Sequence, residues 1–476
     1  MAAAPTTPFL DRSSRRRLLL HAAGGFGAVA LTRLLAAADE KPGSHDGLHH
    51  RPRARRVIQL FMNGGASPVD TFDFKPALDR LHGQKFDPGD RVESVTGSPG
   101  FKALRSPFEF RRHGACGRWV SSVFPHMARH VDDLAFLTSM ASKTNVHGPA
   151  SYMQCTGFTL PGFPCMGAWI SYAIGSETEN LPHFVVLPDH RGLPYNNRGN
   201  FSGAFLPARH QGTVLRLDRP EPIADLRPPA SARFITPRSE ADGLRALETL
   251  NRIHLRERAG DSRLEARIDS YELAAKMQLS APEALDISQE NAATRHLYGL
   301  DNEVTARFGE SCLTARRLCE RGVRFVQLWS GASGASNNWD NHTDVGKELP
   351  AIAASVDRPI AGLLEDLKQR GLLDETLVIW TTEFGRMPFS QNKGGRDHNQ
   401  GTFVTWLAGA GIRGGVAHGR SDEWAWKAID PIWSYDLHAT VLHLLGVDHE
   451  RLAVRHNGID RRLTDVHGHV IREILA

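Results

Sequence analysis

Val323-Arg324-Phe325-Val326-Gln327-Leu328-Trp329 and Thr376-Leu377-Val378-Ile379-Trp380 bracket a segment, Val356 to Arg370, in which Ile360, Leu363, Leu364 and Leu367 recur at helical spacing. The outer runs are short, apolar and rich in β-branched and aromatic residues, as buried strands are, and Gly371 is placed to close the helix between them. Strand, helix and strand in that order make a βαβ unit. Such a unit implies a parallel sheet whose functional loops gather at the carboxyl ends of its strands.

Outward from this unit the pattern repeats. Val57-Ile58-Gln59-Leu60-Phe61-Met62 reads as a buried strand running into Asn63-Gly64-Gly65, and His183-Phe184-Val185-Val186-Leu187 reads as another. The expected fold is α/β, a central mostly parallel sheet sandwiched by helices. Ser239 to Leu297 differs: it is charged and helical in pattern over Leu244–Arg258 and Arg263–Lys276, an inserted helical subdomain around 239–297 or else ordinary outer-layer helices.

The chain has 476 residues, 41% hydrophobic and 23% charged, enough to bury a large core. Its formal charge of +4 owes much to Arg15, Arg16, Arg17 and to Arg51, Arg53, Arg55 and Arg56. The remaining body is near neutral, so no nucleic-acid partner is indicated. Ser14-Arg15-Arg16-Arg17-Leu18-Leu19, followed by a Gly/Ala-rich apolar stretch from Leu20 to Leu35, has the pattern of a twin-arginine export signal. Arg33 interrupts the stretch, and a membrane span needs roughly 20 uninterrupted apolar residues. No stable transmembrane span is therefore expected. Ala36-Ala37-Ala38 offers a small-residue cleavage site, which makes residues 1–38 the signal peptide, 39–56 a polar linker and 57–476 the exported domain. The twin-arginine translocase is the partner this implies, and the periplasm or another extracytoplasmic space the destination. Five cysteines, none in a C-x-x-C pair, exclude a disulfide framework and leave room for one structural disulfide; core packing is their expected role.

Three loops concentrate ligand-type residues: Trp339-Asp340-Asn341-His342-Thr343-Asp344, Glu383-Phe384-Gly385-Arg386, and Gly395-Arg396-Asp397-His398. Carboxylates and imidazoles converging at strand ends suit a divalent metal, because anionic oxygens with neutral nitrogens favour zinc or manganese. In the loop Asn63-Gly64-Gly65-Ala66-Ser67, with Asp70 and Asp73 beyond it, glycine lets backbone N–H groups approach an anion while the carboxylates could take a cation; a tight structural turn is the alternative.

His147-Gly148-Pro149-Ala150-Ser151-Tyr152-Met153-Gln154-Cys155-Thr156-Gly157 resembles the nucleophile helix of sulfatases, C/S-x-P-S-R followed by a short helix and Thr-Gly. Pro149 falls on the motif proline, and His147 falls where that family carries its formylglycine-forming residue. Thr376 to Gly385 resembles the strand that ends in Ser-Asp-His-Gly, with Glu383 at the aspartate and Phe384 at the histidine. Asp436-Leu437-His438-Ala439-Thr440-Val441-Leu442-His443-Leu444-Leu445-Gly446 resembles the late helix D-x-x-x-T-L-L-x-L-L-G. Together these matches resemble the alkaline phosphatase/sulfatase superfamily, and most of all a bacterial family, a domain of unknown function, of twin-arginine-exported sulfatase-like proteins. The resemblance implies an alkaline phosphatase-like fold, one or two divalent ions (zinc, manganese or calcium) and transfer of phosphoryl or sulfuryl groups. Carried over by position, Asp340, His342 and His398 resemble an Asp/His/His zinc set. The departures fall on the chemistry: Asn63 stands at an expected aspartate, Glu383 is longer than the residue it replaces, Phe384 has no ligand atom and His147 replaces the nucleophile.

The expected activity is that of an exported metal-dependent hydrolase of phosphate or sulfate esters, with a sulfated or phosphorylated glycan among the candidate substrates. Asp340, His342, His398, Glu383, Asp70 and Asn63 are its candidate metal residues. In one account His147 is a ligand or the nucleophile, and Arg386 and Arg396 clamp the anionic oxygens. In the other the polar residues satisfy one another, and the protein is a non-catalytic exported binding or envelope-associated protein.

Overall fold

The computed structural model describes residues 48–85, 102–223, 231–232, 234–257, 268, 281–391 and 394–476. The export signal read over residues 1–38 and the linker up to residue 47 lie outside the described residues. Among those described, eight strands build one sheet: β1 (Arg56–Met62), β2 (Leu134–Met140), β3 (Phe184–Leu187), β4 (Thr213–Val214), β5 (Phe325–Ser330), β6 (Thr376–Thr381), β7 (Phe403–Ala408) and β8 (Val416–His418). They lie in the order β8-β2-β7-β6-β1-β5-β3-β4, and every pairing is parallel except those of β7 with β2 and β6.

Every residue of β1, β5 and β6 is buried, which is why these strands are near-continuous apolar runs rather than alternating ones. Successive side chains still leave the sheet on opposite faces. Ile58, Leu60 and Met62 enter one core with Val326, Leu328, Val378 and Trp380; Val57 and Phe61 enter the other with Phe325, Trp329, Leu377 and Ile379. The longer helices are α1 (His147–Thr156), α2 (Met166–Ile174), α3 (Pro237–Glu257), α4 (Glu303–Glu320), α5 (Val345–Gln369) and α6 (Ser434–Leu444). Leu313 and Leu318 of α4 with Leu349, Ile360 and Leu363 of α5 cover the first core, while Trp169 and Ile170 of α2 with Leu437 and Val441 of α6 cover the second. The expected α/β sandwich is thus the observed architecture.

Two elements depart from the sequence pattern. The crossover helix α5 starts at Val345, well before its apolar periodicity, because the Asp344 side chain accepts the Gly346 N–H at 3.1 Å and caps it. Pro350 and Pro359 lie inside this helix. A proline there costs roughly 3 kcal/mol, and the buried face from Leu349 to Leu367 offsets that cost. The pattern over Leu244–Arg258 falls in α3, whereas Arg263–Lys276 lies, apart from Ile268, outside the described residues.

All five cysteines are free, four of them buried in the cores. Cys312 and Cys319 share α4 at a spacing of seven, roughly 10 Å along the axis. A disulfide needs Cα atoms about 4.4–6.8 Å apart, so the structural disulfide that the sequence allowed is not formed. Among the described residues no helix is long and apolar enough to cross a membrane.

Candidate metal centre

The loops leaving β1, β2, β3, β5 and β6 meet at one edge of the sheet. From the β2 exit comes His147, the first residue of α1. Its Nδ1 lies 2.7 Å from Glu383 Oε1, which also accepts the Gly64 N–H at 2.8 Å, while Thr382 Oγ1 donates to Glu383 Oε2 at 3.1 Å. Tyr195, from the β3 exit, stacks on the imidazole with centroids 4.2 Å apart and planes 5° apart; Phe384 packs on it at 4.9 Å. Tyr195 precedes Asn196, whose left-handed backbone (φ 65°) turns its amide to donate to Gly148 O at 2.7 Å. The imidazole is therefore fixed by two rings and a carboxylate.

The loop after β5 carries Asp340 and His342. A short antiparallel pairing of Gly385–Arg386 with His398–Asn399 sets His398 across from Arg386. Asp340 Oδ1 lies 2.7 Å from His342 Nε2 and 3.1 Å from His398 Nε2, and Asp340 Oδ2 lies 3.3 Å from His147 Nε2. The Nε2 atoms of His342 and His398 are 2.8 Å apart. His147, Asp340 and His398 form a group whose ligand atoms all lie within 4.8 Å of one another, and His342, Asp397 and His398 form a second such group.

Each imidazole turns Nε2 toward Asp340, because its Nδ1 faces an acceptor, and His342 Nε2 is shared with Arg386 Nη1 at 3.3 Å. His398 Nδ1 donates to Asn145 O at 2.7 Å, His147 Nδ1 to Glu383, and His342 Nδ1 to Gln391 Oε1. Partners of this kind fix the tautomer of metal-binding histidines. Buried His147 Nε2, close as it is to Asp340, makes no hydrogen bond. Acceptors at these distances repel unless something positive lies among them. In a tetrahedral zinc site, with metal–nitrogen bonds near 2.0–2.1 Å, ligand atoms stand about 3.3 Å apart. The residues present fit a divalent cation.

Burial acts to raise the Asp340 carboxyl, yet the Arg386 guanidinium and the three imidazoles hold it far below the usual carboxylate range. Burial, with Arg386 beside it, pushes His398 down to about 4, so its ring is neutral near pH 7. For His147 burial works downward, but the pull of Asp340 and Glu383 outweighs it and the net direction is upward. Burial, reinforced by Asp340 and Glu383, pushes the Tyr195 phenol up to about 12.

His147, Asp340, His342, Glu383, Arg386 and His398 are thus brought together, and the other candidates are placed elsewhere. Asp70 and Arg396 are fully buried and bind each other, Arg396 Nε to Oδ2 at 2.6 Å and Nη2 to Oδ1 at 3.1 Å. That ion pair uses the carboxylate read as a ligand and the guanidinium read as a substrate clamp. Asn63 is a loop clamp: its Nδ2 donates to Gly331 O and Ala332 O at 3.1 and 3.2 Å. Glu383 orients His147 and belongs to neither ligand group. Arg386 is also fully buried, and its donors are taken by Gly64 O, Gly65 O, Trp339 O, Arg396 O, Asp340 Oδ1 and His342 Nε2, which leaves none for a substrate anion. Tyr195, Asn145, Gln391 and Asp397 were not singled out by sequence reasoning. Asp397 alone carried a signal, as the neighbour of His398.

The model of a family described as "Protein of unknown function (DUF1501)" matches residues 54–475. No curated protein matches the sequence. Among solved structures, the PsFucS1 sulfatase from Pseudoalteromonas sp. is similar at 14% identity over 89% of this chain and 71% of that one, with a TM-score of 0.33. The lipoteichoic acid synthase LtaP from Listeria monocytogenes is similar at 10% identity over 86% and 76%, TM-score 0.33. The phosphonate monoester hydrolase SpPMH from Silicibacter pomeroyi is similar at 12% over 68% of each chain, TM-score 0.31.

Proposed function

Since the chain belongs to the DUF1501 family, whose function is unknown, its own site must carry the reading, and we propose that it is an exported metal-dependent hydrolase of phosphate or sulfate esters on an alkaline phosphatase-like fold. One observation supports this most: three Nε2 atoms gather round the Asp340 carboxylate, with those of His342 and His398 only 2.8 Å apart and that of His147 without a hydrogen bond. His147, Asp340 and His398 would hold the cation, with His342 beside them. A bound divalent ion supplies Lewis-acid polarisation of an ester oxygen.

The chain's own residues do the rest by position. Glu383 keeps the Nδ1 proton of His147, so that Nε2 presents its lone pair. Asn145 O and Gln391 do the same for His398 and His342. Arg386 holds the Asp340 carboxylate and keeps it ionised. Phe384 packs against His147 and His398, 4.9 and 4.7 Å away, and keeps water off that side of both rings. The twin-arginine pattern at Arg15-Arg16 supports export through the twin-arginine translocase to the periplasm.

Elemental analysis of the folded protein, paired with Asp340→Ala and His398→Ala, tests the reading. Bound zinc, manganese or calcium that both variants lose supports it and leads to a screen of phosphate and sulfate esters; a folded chain that takes up no divalent metal refutes it. A second reading, a non-catalytic exported binding protein, draws on the saturated Arg386 and the Asp70-paired Arg396, neither of which is left to bind an anion. Metal uptake without turnover of any ester would favour it.

A further inference from the structure

We propose that Arg386 is a resident cation that sets the centre at one divalent ion per chain, an inference that rests on the metal reading above. Two ligand groups are present, His147 with Asp340 and His398, and His342 with Asp397 and His398. They share His398, whose Nδ1 proton is bound to Asn145 O. Only Nε2 remains, and one lone pair serves one ion. The two groups are therefore alternative seats.

Arg386 also sets a fixed positive charge on Asp340, the carboxylate of the first group, and like charge disfavours a second cation beside it.

The guanidinium also fills the space a second ion would need. Besides His342 Nε2, its donors end on Gly64 O, Gly65 O, Trp339 O, Arg396 O and Asp340 Oδ1, four carbonyls and a carboxylate of the type that coordinate hard cations such as calcium. Two positive φ angles, 122° at Gly64 and 81° at Gly65, turn those carbonyls toward it. A Cβ on Gly65 would lie 2.7 Å from the Phe384 ring and 3.2 Å from Arg386 Nε, so the cradle is closely fitted to the side chain it holds.

The test is the manganese content of the full-length folded protein, stripped of metal and dialysed against Mn²⁺, compared with Arg386→Lys and Arg386→Ala, each checked for folding by near-UV circular dichroism. One equivalent is expected in the parent and in Arg386→Lys, which keeps the charge. Two are expected in Arg386→Ala, where the vacated oxygens accept a second ion. Two equivalents in the parent or in Arg386→Lys, or one in a folded Arg386→Ala, would overturn the proposal while leaving a metal centre in place. No manganese in the parent removes the metal reading itself. Should Arg386→Ala not fold, Arg386→Gln takes its place, with two equivalents expected and one equivalent overturning the proposal.

Discussion

Replacing Asp70 separates the two readings of that residue, because a ligand and an ion-pair partner fail differently. Both Asp70 and Arg396 are fully buried, and the bidentate pair is joined by Ser67 Oγ, which donates to Asp70 Oδ2 at 2.5 Å. Asp70→Ala removes three hydrogen bonds to a charged acceptor. It leaves the Arg396 guanidinium with only Met387 O and Leu104 O, both at 3.1 Å, and no counter-charge. Bonds to charged groups contribute about 1.5–3 kcal/mol each but are not additive here, and the loss of one partner of a buried pair typically costs 3–5 kcal/mol. We expect about 3–5 kcal/mol from urea unfolding followed by tryptophan fluorescence, about half of that for Asp70→Asn, and cation content unchanged at urea concentrations where the variants stay folded. Pairing Asp70→Leu with Arg396→Met should recover most of the loss, since an apolar pair of similar volume removes both charges. A cost below about 1 kcal/mol, or a folded Asp70→Ala that has lost its metal, would refute the assignment.

The remaining expectations concern the groups around the centre and one distant histidine. Gln391→Ala and Glu383→Ala, which release the Nδ1 atoms of His342 and His147, should weaken cation binding by about 10–100-fold in competition with a fluorescent chelator, and unchanged affinity would exclude their orienting role. Gly65→Ala meets the Phe384 ring at 2.7 Å and must adopt a φ of 81°; a loss of about 1–3 kcal/mol in chemical denaturation is expected, and a neutral effect would show the loop free to rearrange. His438 is fully buried, and burial pushes it from 6.5 down to about 4, although its Nε2 donates to Gln154 O. Between those values the unfolded chain takes up a proton that the folded chain resists, so stability falls as pH falls from about 6.5 toward 4, by ~3 kcal/mol over the window. His438→Gln should flatten that slope in unfolding measured at pH 7 and pH 5; an identical slope would assign the loss to other groups.

The strands were legible in the sequence because their signal is local: β1, β5 and β6 are buried on both faces, and an apolar run reports that directly. Asp340, His342 and His398 were legible for a related reason, since loops that follow parallel strands converge at one edge whatever their separation along the chain. The fates of Arg386, Arg396 and Asp70 were not legible, and neither was the early start of α5. Arg396 and Asp70 are 326 residues apart, and Arg386 reaches back 322 to Gly64. A guanidinium free for substrate and one caged by carbonyls are the same letters in the sequence. Only the tertiary structure decides between them, because burial, the turn of Gly64 and Gly65, and the identity of the facing carboxylate are products of packing, whereas the buried strands and their order of chemistry-bearing loops are properties of neighbouring residues.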